Sequence, residues 1–190
     1  MNNLLIITST AALLMAIAVS AADDNEKTVF VTSATFDSNL GGLTGADAKC
    51  QAEADGPTSI VPTGTYMAWL SDGTNSPNTR FTKSSHPYVL PNGKKVAENY
   101  TDLTDGSILT LINLGPHGKP IGYQRFWTGT YPDGTSARVD ESNGTCGGWA
   151  VAPPAGKYGM TGHTGKKTTS WTNVHGDLCH RNLKLACFQQ

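Results

Sequence analysis

Charge is scarce in this sequence. Asp, Glu, Lys and Arg make up 15% of the 190 residues and nearly cancel, leaving a net charge of −1. So balanced a chain has no overall field to hold it on nucleic acid or a strongly anionic surface. Cysteine is also sparse. The four present, Cys50, Cys146, Cys179 and Cys187, form no Cys-x-x-Cys pair, which disfavours a zinc ribbon or a thioredoxin-type site. Common catalytic patterns are missing as well. There is no Gly-x-Ser-x-Gly and no His-Glu-x-x-His, and Gly165-Lys166-Lys167 fails the phosphate-loop pattern. No repeat of solenoid length occurs. Gly156, Gly159, Gly162 and Gly165 fall at a three-residue period, but the series is too short and too proline-poor for a collagen helix, and it reads as a loop.

Long apolar runs are absent with one exception. Leu4 to Val19 is uncharged and apolar apart from Thr8, Ser9 and Thr10, and Ser20-Ala21-Ala22 and the acidic pair Asp23-Asp24 follow it. This is the pattern of a secretory signal peptide, with cleavage expected near Ala21 or Ala22. Residues 1–22 are therefore read as a signal peptide and 23–190 as one domain, secreted or extracellular, or at the periplasm or cell surface of a bacterium. A spanning helix needs about 20 apolar residues, so membrane contact is expected only if the segment stays uncleaved. No Cys lies near the cleavage zone to carry a lipid anchor.

What the sequence does have is glycine, 21 residues of it, and frequent Thr, a composition of short strands and loops. Thr28 to Thr32 reads as a first strand. Thr44 and Asp47 have the spacing of a capping box, opening a helix from about Ala46 to Ala54 with Ala46, Cys50 and Ala54 on one stripe. Further strands are expected at Gly64–Leu70, Ile108–Ile112, Phe126–Tyr131 and Cys146–Val151. A hairpin is expected around Pro91-Asn92-Gly93. In the terminal segment Leu183, Leu185 and Cys187 point one way, and Lys184 and Ala186 the other. The fold class is α+β: a short helix, mainly antiparallel short strands and long loops.

Four cysteines in an exported chain imply two bridges, and spacing permits three connectivities. The chain-entropy model gives a domain-spanning bridge about 5 kcal/mol and a bridge from Cys146 to Cys179 about 3.7 kcal/mol.

Gly45-Ala46-Asp47 leading into Cys50, followed by Gly64 to Ser71, resembles the early helix and strand of endostatin. Phe126-Trp127-x-Gly129, Pro132-Asp133-Gly134 and Cys146-x-x-Trp149 resemble its middle strands. Cys179-His180, with seven residues before Cys187, is similar to its final disulfide strand. The resemblance, which extends to related bacterial domains, implies a C-type lectin-like fold of the endostatin branch. It also implies two nested bridges, Cys50–Cys187 and Cys146–Cys179.

Trp69, Trp127 and Trp149 sit in strand patterns and are expected in the core. Trp171 lies in a polar, glycine-rich stretch. It could stack on a sugar or anchor a protein contact, or tuck inward as the resembling lectins' Trp does. With Asn173, His175, Asp177, Lys166 and Lys167 it forms the candidate ligand-binding set, in loops between Gly147 and Asp177. From Val151 onward five basic residues face a single acidic one, Asp177, a balance that suits an anionic glycan or an acidic protein.

Calcium binding in true C-type lectins resembles a Pro-centred loop plus Trp-Asn-Asp. Here Trp171, Asn173 and Asp177 give a loosened second part, and Ala152 and Ala155 replace the ligands beside Pro153-Pro154. His175 and His180 read as polar surface, not metal ligands. No metal, cofactor or catalytic residue is expected. The sequence therefore points to a non-enzymatic module recognising an extracellular glycan or protein. A structural or adhesive matrix protein comes second. An enzyme of the formylglycine-generating type comes third, since that chemistry needs free cysteines. Asn99 and Asn143 head glycosylation sequons.

Overall fold

The computed structural model describes residues 25–137, 144–150 and 156–190. The apolar leader, Pro153-Pro154 with its flanking alanines, and Asn143 lie outside the described residues.

Among those residues eight strands form one mixed sheet: β1 (Lys27–Val31), β2 (Tyr66–Ala68), β3 (Tyr88–Val89), β4 (Lys95–Ala97), β5 (Arg125–Trp127), β6 (Tyr158–His163), β7 (His175–Leu178) and β8 (Lys184–Gln189). The order is β4-β3-β1-β8-β5-β6-β7, with β2 also on β8. One edge of β8 pairs antiparallel with β1, placing Val29 opposite Phe188. The other edge is shared end to end by β5, which runs parallel beside Lys184 and Leu185, and by β2, antiparallel opposite Cys187 to Gln189.

The expected alternation in β8 is present, but both of its faces are buried. Ala186 and Phe188 pack with Val29, Val31, Trp69, Phe126 and Trp171 on one side. Leu185 and Cys187 pack with Phe30, Trp127 and Trp149 on the other. Even Lys184 is 8% exposed, its Nζ donating to the carbonyls of Thr32 and Ser33 at 3.0 and 2.8 Å. That burial lowers its pKa, with the Glu53 carboxylate partly offsetting the shift.

Helix α1 (Gly42–Ala54) buries Ala46, Cys50 and Ala54, the stripe expected from their spacing. Its start differs. The N-cap is Gly41 in the left-handed region (φ 82°), and no side chain caps the helix, so the capping box of Thr44 and Asp47 is not formed. The Asp47 carboxylate is used elsewhere, accepting the Ala68 amide at 2.9 Å and pairing with Arg80. Tertiary partners thereby take the group that local geometry offered to Thr44. Two short helices, α2 (Pro77–Arg80) and α3 (Tyr100–Leu103), punctuate the loops. The hairpin around Pro91-Asn92-Gly93 forms as expected, joining β3 to β4 with Gly93 at φ 78°.

Three other expectations fail. Ile108–Ile112 forms no strand. Ile108 and Ile112 are buried, but the Ile108 amide bonds Lys167 and the next amide bonds Val96, so no single partner sets a ladder. Cys146 to Trp149 is a left-handed turn: Cys146, Gly147, Gly148 and Trp149 all have positive φ (49°, 75°, 76°, 64°). Two glycines make that conformation accessible.

The third failure is the glycine series read as loop, much of which is β6. Its glycines are sites of close approach. A Cβ at Gly159 would lie 2.7 Å from Cys146 Sγ and 2.8 Å from the Trp149 ring. At Gly162 it would lie 2.2 Å from the Trp171 carbonyl and 2.5 Å from the Phe126 ring.

Both bridges are present, Cys50–Cys187 and Cys146–Cys179, the second enclosed in sequence by the first. The outer one ties the middle of α1 to β8, and no cysteine is free. Among the described residues no helix is long and apolar enough to cross a membrane.

Candidate functional site

The six residues singled out from the sequence do not converge. Trp171 is 1% exposed. It ends a single 3₁₀ turn, Thr169–Trp171, and packs against Trp69 and Phe188 at ring-centroid distances of 5.0 and 6.4 Å. It is a core residue and offers no stacking face to a ligand. The indole N–H of Trp69 donates to Thr172 Oγ1 at 2.7 Å, which fixes the residue after Trp171 from the far side of the chain.

Asn173 is half-buried beside this turn, its amide donating to the Thr169 carbonyl at 3.0 Å. His175 and Asp177 lie on β7 rather than in a loop, with His175 opposite Thr161 and Asp177 opposite Gly159. Asp177 is committed to an ion pair with Arg125 at 3.0 Å. The loosened calcium pattern therefore gathers no ligand set, since its Trp is core and its carboxylate is paired.

Lys166 and Lys167 are exposed, in the turn that leaves β6. This turn is well braced. The Gly165 amide donates to His163 Nδ1 at 2.9 Å, and the Lys166 amide donates to the His163 carbonyl at 3.0 Å. Thr164 clamps the incoming strand: its Oγ1 accepts the Gln124 amide at 2.7 Å and donates to the Gly122 carbonyl at 3.0 Å. Between these two bonds stands Tyr123, 71% exposed. A Cβ on Gly165 would come within 2.8 Å of the Tyr123 ring, so the missing side chain is what lets the ring lie against the lysine turn. On the other flank, a shallow groove of about 650 Å³ separates this turn from Leu109–Leu111, and Leu109 is 50% exposed. Lys167 takes part in the groove wall through its carbonyl, which accepts the Ile108 amide at 2.7 Å.

The candidate site is thus a surface, formed by the lysine turn with Tyr123 on one side and Leu109 on the other. His163 sits beneath it, opposite Arg125 in the β5–β6 pair and on the same sheet face as His175. Burial, and then the positive charges of Lys166, Arg125 and His175, hold its pKa below the ordinary value. Its Nδ1 accepts a hydrogen bond, so the neutral ring carries its proton on Nε2.

Tyr123 was missed in the sequence because it stands in no periodic pattern, and Leu109 because it reads as part of a strand at Ile108–Ile112 that does not form. The one available signal was an aromatic residue directly after Gly122, whose φ is 75°.

Chemically, the surface offers two ammonium groups and an aromatic face, and no carboxylate is among the residues lining the groove, which fits recognition of anions. Elsewhere, Ser33 Oγ lies 3.4 Å from His117 Nε2. His117 Nδ1 already accepts the Lys119 amide at 3.1 Å, so the neutral ring carries its proton on the nitrogen facing Ser33 and cannot take one from it. Among the described residues no group of three or more His, Cys, Asp or Glu is arranged to hold a metal ion.

No protein-family model matches the chain, and no curated protein is detectably similar to it in sequence.

Proposed function

We propose that this protein is an exported, non-catalytic recognition module of C-type lectin-like architecture, and that it binds an anionic glycan through the lysine turn. The observation that carries this reading is the juxtaposition of exposed Tyr123 with Lys166 and Lys167 on a turn held by four short backbone and side-chain bonds. An exposed aromatic ring supplies a stacking face for a sugar. Two cations supply charge for its sulfate or carboxylate groups, and a braced turn lowers the entropy lost on binding. An acidic protein segment is the alternative partner for the same chemistry.

The architectural part draws support from the two nested bridges, the outer of which joins the first helix to the last strand. Export draws support from the apolar leader and from bridges of a kind that persist in oxidising compartments.

Glycan-array binding of the domain, with and without chelator, tests the reading. Binding to sulfated or uronic acid-containing glycans, weakened by salt and indifferent to chelator, is the expected result. Binding confined to neutral sugars, or abolished by chelator, would overturn it.

A further inference from the structure

A second concavity, of about 440 Å³, lies away from the lysine turn, between α1, the loop that follows β1 and the Pro116-His117 corner. It is within the size range of small-molecule pockets. Its apolar wall is Phe36 with Pro116 and Ala52, and its polar side chains are Lys49, Glu53 and His117 with the hydroxyls of Ser33 and Thr58.

The charges here do not cancel in the obvious way. Lys49 and Glu53 are four apart on α1, the spacing of a helical ion pair, yet they do not pair. Glu53 is turned to the chain: its two oxygens accept the amides of Ser33 and Ala34, each at 2.9 Å. Its charge also partly offsets the lowering of the Lys184 pKa that burial causes. The Glu53 charge is therefore satisfied from behind.

Lys49 has no carboxylate partner among the described residues, and its Nζ stands 5.3 Å from the centre of the Phe36 ring. The His117 ring presents Nε2–H at the same opening, with the Ser33 hydroxyl oxygen 3.4 Å away as its present acceptor, since Nδ1 is occupied by the Lys119 amide. The cavity thus sets one uncompensated cation beside the neutral donors of His117, Ser33 and Thr58 and an apolar wall.

We propose that this cavity binds a small monocarboxylate carried on a compact ring, with the carboxylate on Lys49 and His117 and the ring body against Phe36 and Pro116. The chemistry is shared by sugar acids and by alicyclic or aromatic acids. The neutral partner of either lacks the group that Lys49 needs.

The test is titration of the folded, disulfide-intact protein with glucuronate, cyclohexanecarboxylate and glucose, followed by calorimetry and by NMR shifts of α1 and His117. At least one carboxylate should bind, and at least tenfold more tightly than glucose. Binding of glucuronate alone assigns a sugar acid, whereas binding of both acids assigns any ring carboxylate. Lys49→Met should weaken binding at least tenfold and Lys49→Arg should restore most of it, which separates charge from folding. The double change Lys166→Ala, Lys167→Ala should leave it unaltered. The proposal is overturned if neither acid binds, if glucose binds equally well, or if binding follows Lys166 and Lys167 instead of Lys49. The last result would leave the lysine-turn reading standing, and loss of glycan binding at that turn would leave the present site untouched.

Discussion

The indole rings of Trp69 and Trp171 lie with centroids 5.0 Å apart, tilted by 44°, and the ring of Phe188 on β8 touches both. This trio joins the residue just past β2, the 3₁₀ turn and the central strand. Trp171→Ala is therefore expected to destabilise the fold by about 3–5 kcal/mol, the usual cost of emptying a large aromatic site. Chemical denaturation of the variant checks this. A loss under about 1 kcal/mol would mean the site collapses freely around the missing ring.

The lysine turn should behave in the opposite way. Tyr123→Ala, or Lys166→Ala with Lys167→Ala, removes exposed groups and should alter stability by no more than about 0.5 kcal/mol. Losing Tyr123 as an anchor should cost about 2 kcal/mol of glycan affinity. Paired melting and binding curves on the same preparations decide the matter, and a Tyr123 variant that binds normally would remove the stacking face from the site.

Gly162 admits no side chain without displacing backbone, because its added Cβ would meet the Trp171 carbonyl at 2.2 Å. Gly162→Ala should cost about 1–3 kcal/mol through overpacking. Gly93, with nothing within 4 Å of an added Cβ, provides the control for open space, its penalty being confined to its positive φ.

Acid should loosen the protein through His163. Its pKa is below the ordinary 6.5 when folded, by burial and by Lys166, Arg125 and His175. The unfolded chain therefore takes up the proton first, and stability falls as pH drops below about 6.5, levelling off once the folded form is also protonated. Protonation of Nδ1 also breaks the bond from the Gly165 amide. In His163→Gln the side-chain oxygen can keep that bond without titrating. Urea midpoints measured from about pH 8 to about pH 5 should show a slope in the natural protein that is reduced in the variant. Identical slopes would assign the acid sensitivity to other groups.

Non-reducing peptide mapping should recover Cys50 with Cys187 and Cys146 with Cys179. Replacing both Cys50 and Cys187 by Ala should cost about 2–5 kcal/mol, the range for removing a natural bridge. Any other pairing in the native protein would contradict the union of α1 with β8.

What could be read in the sequence was what local spacing determines. Ala46, Cys50 and Ala54 fall on one helical stripe because four residues make about one turn, and that stripe is buried. The strand at Thr28 to Thr32 and the turn at Gly93 are equally local. The rest depends on neighbours far away in the chain. Gly159 and Gly162 look like loop glycines until Trp149, Phe126 and Trp171 are placed beside them. Trp171 has no apolar neighbours in sequence, and its partners, Trp69 and Phe188, are brought to it by the sheet. The exposure of Tyr123 has no sequence pattern behind it either, being set by how Thr164 fastens Gly122 and Gln124.

The position of β8 also governs the order in which this molecule can be made. Three strands lean on Lys184–Gln189, and both hydrophobic layers close over it, yet it is synthesised after the other described strands. A chain still attached to the ribosome, with these residues inside the exit tunnel, lacks the element that would join β1 to β5. The sheet must wait, incomplete, until these residues have left the tunnel. Cys50 is without its partner until Cys187 has emerged. A pulse-chase experiment should find the outer bridge formed only after Cys187 has emerged, with the shorter Cys146–Cys179 loop free to close earlier.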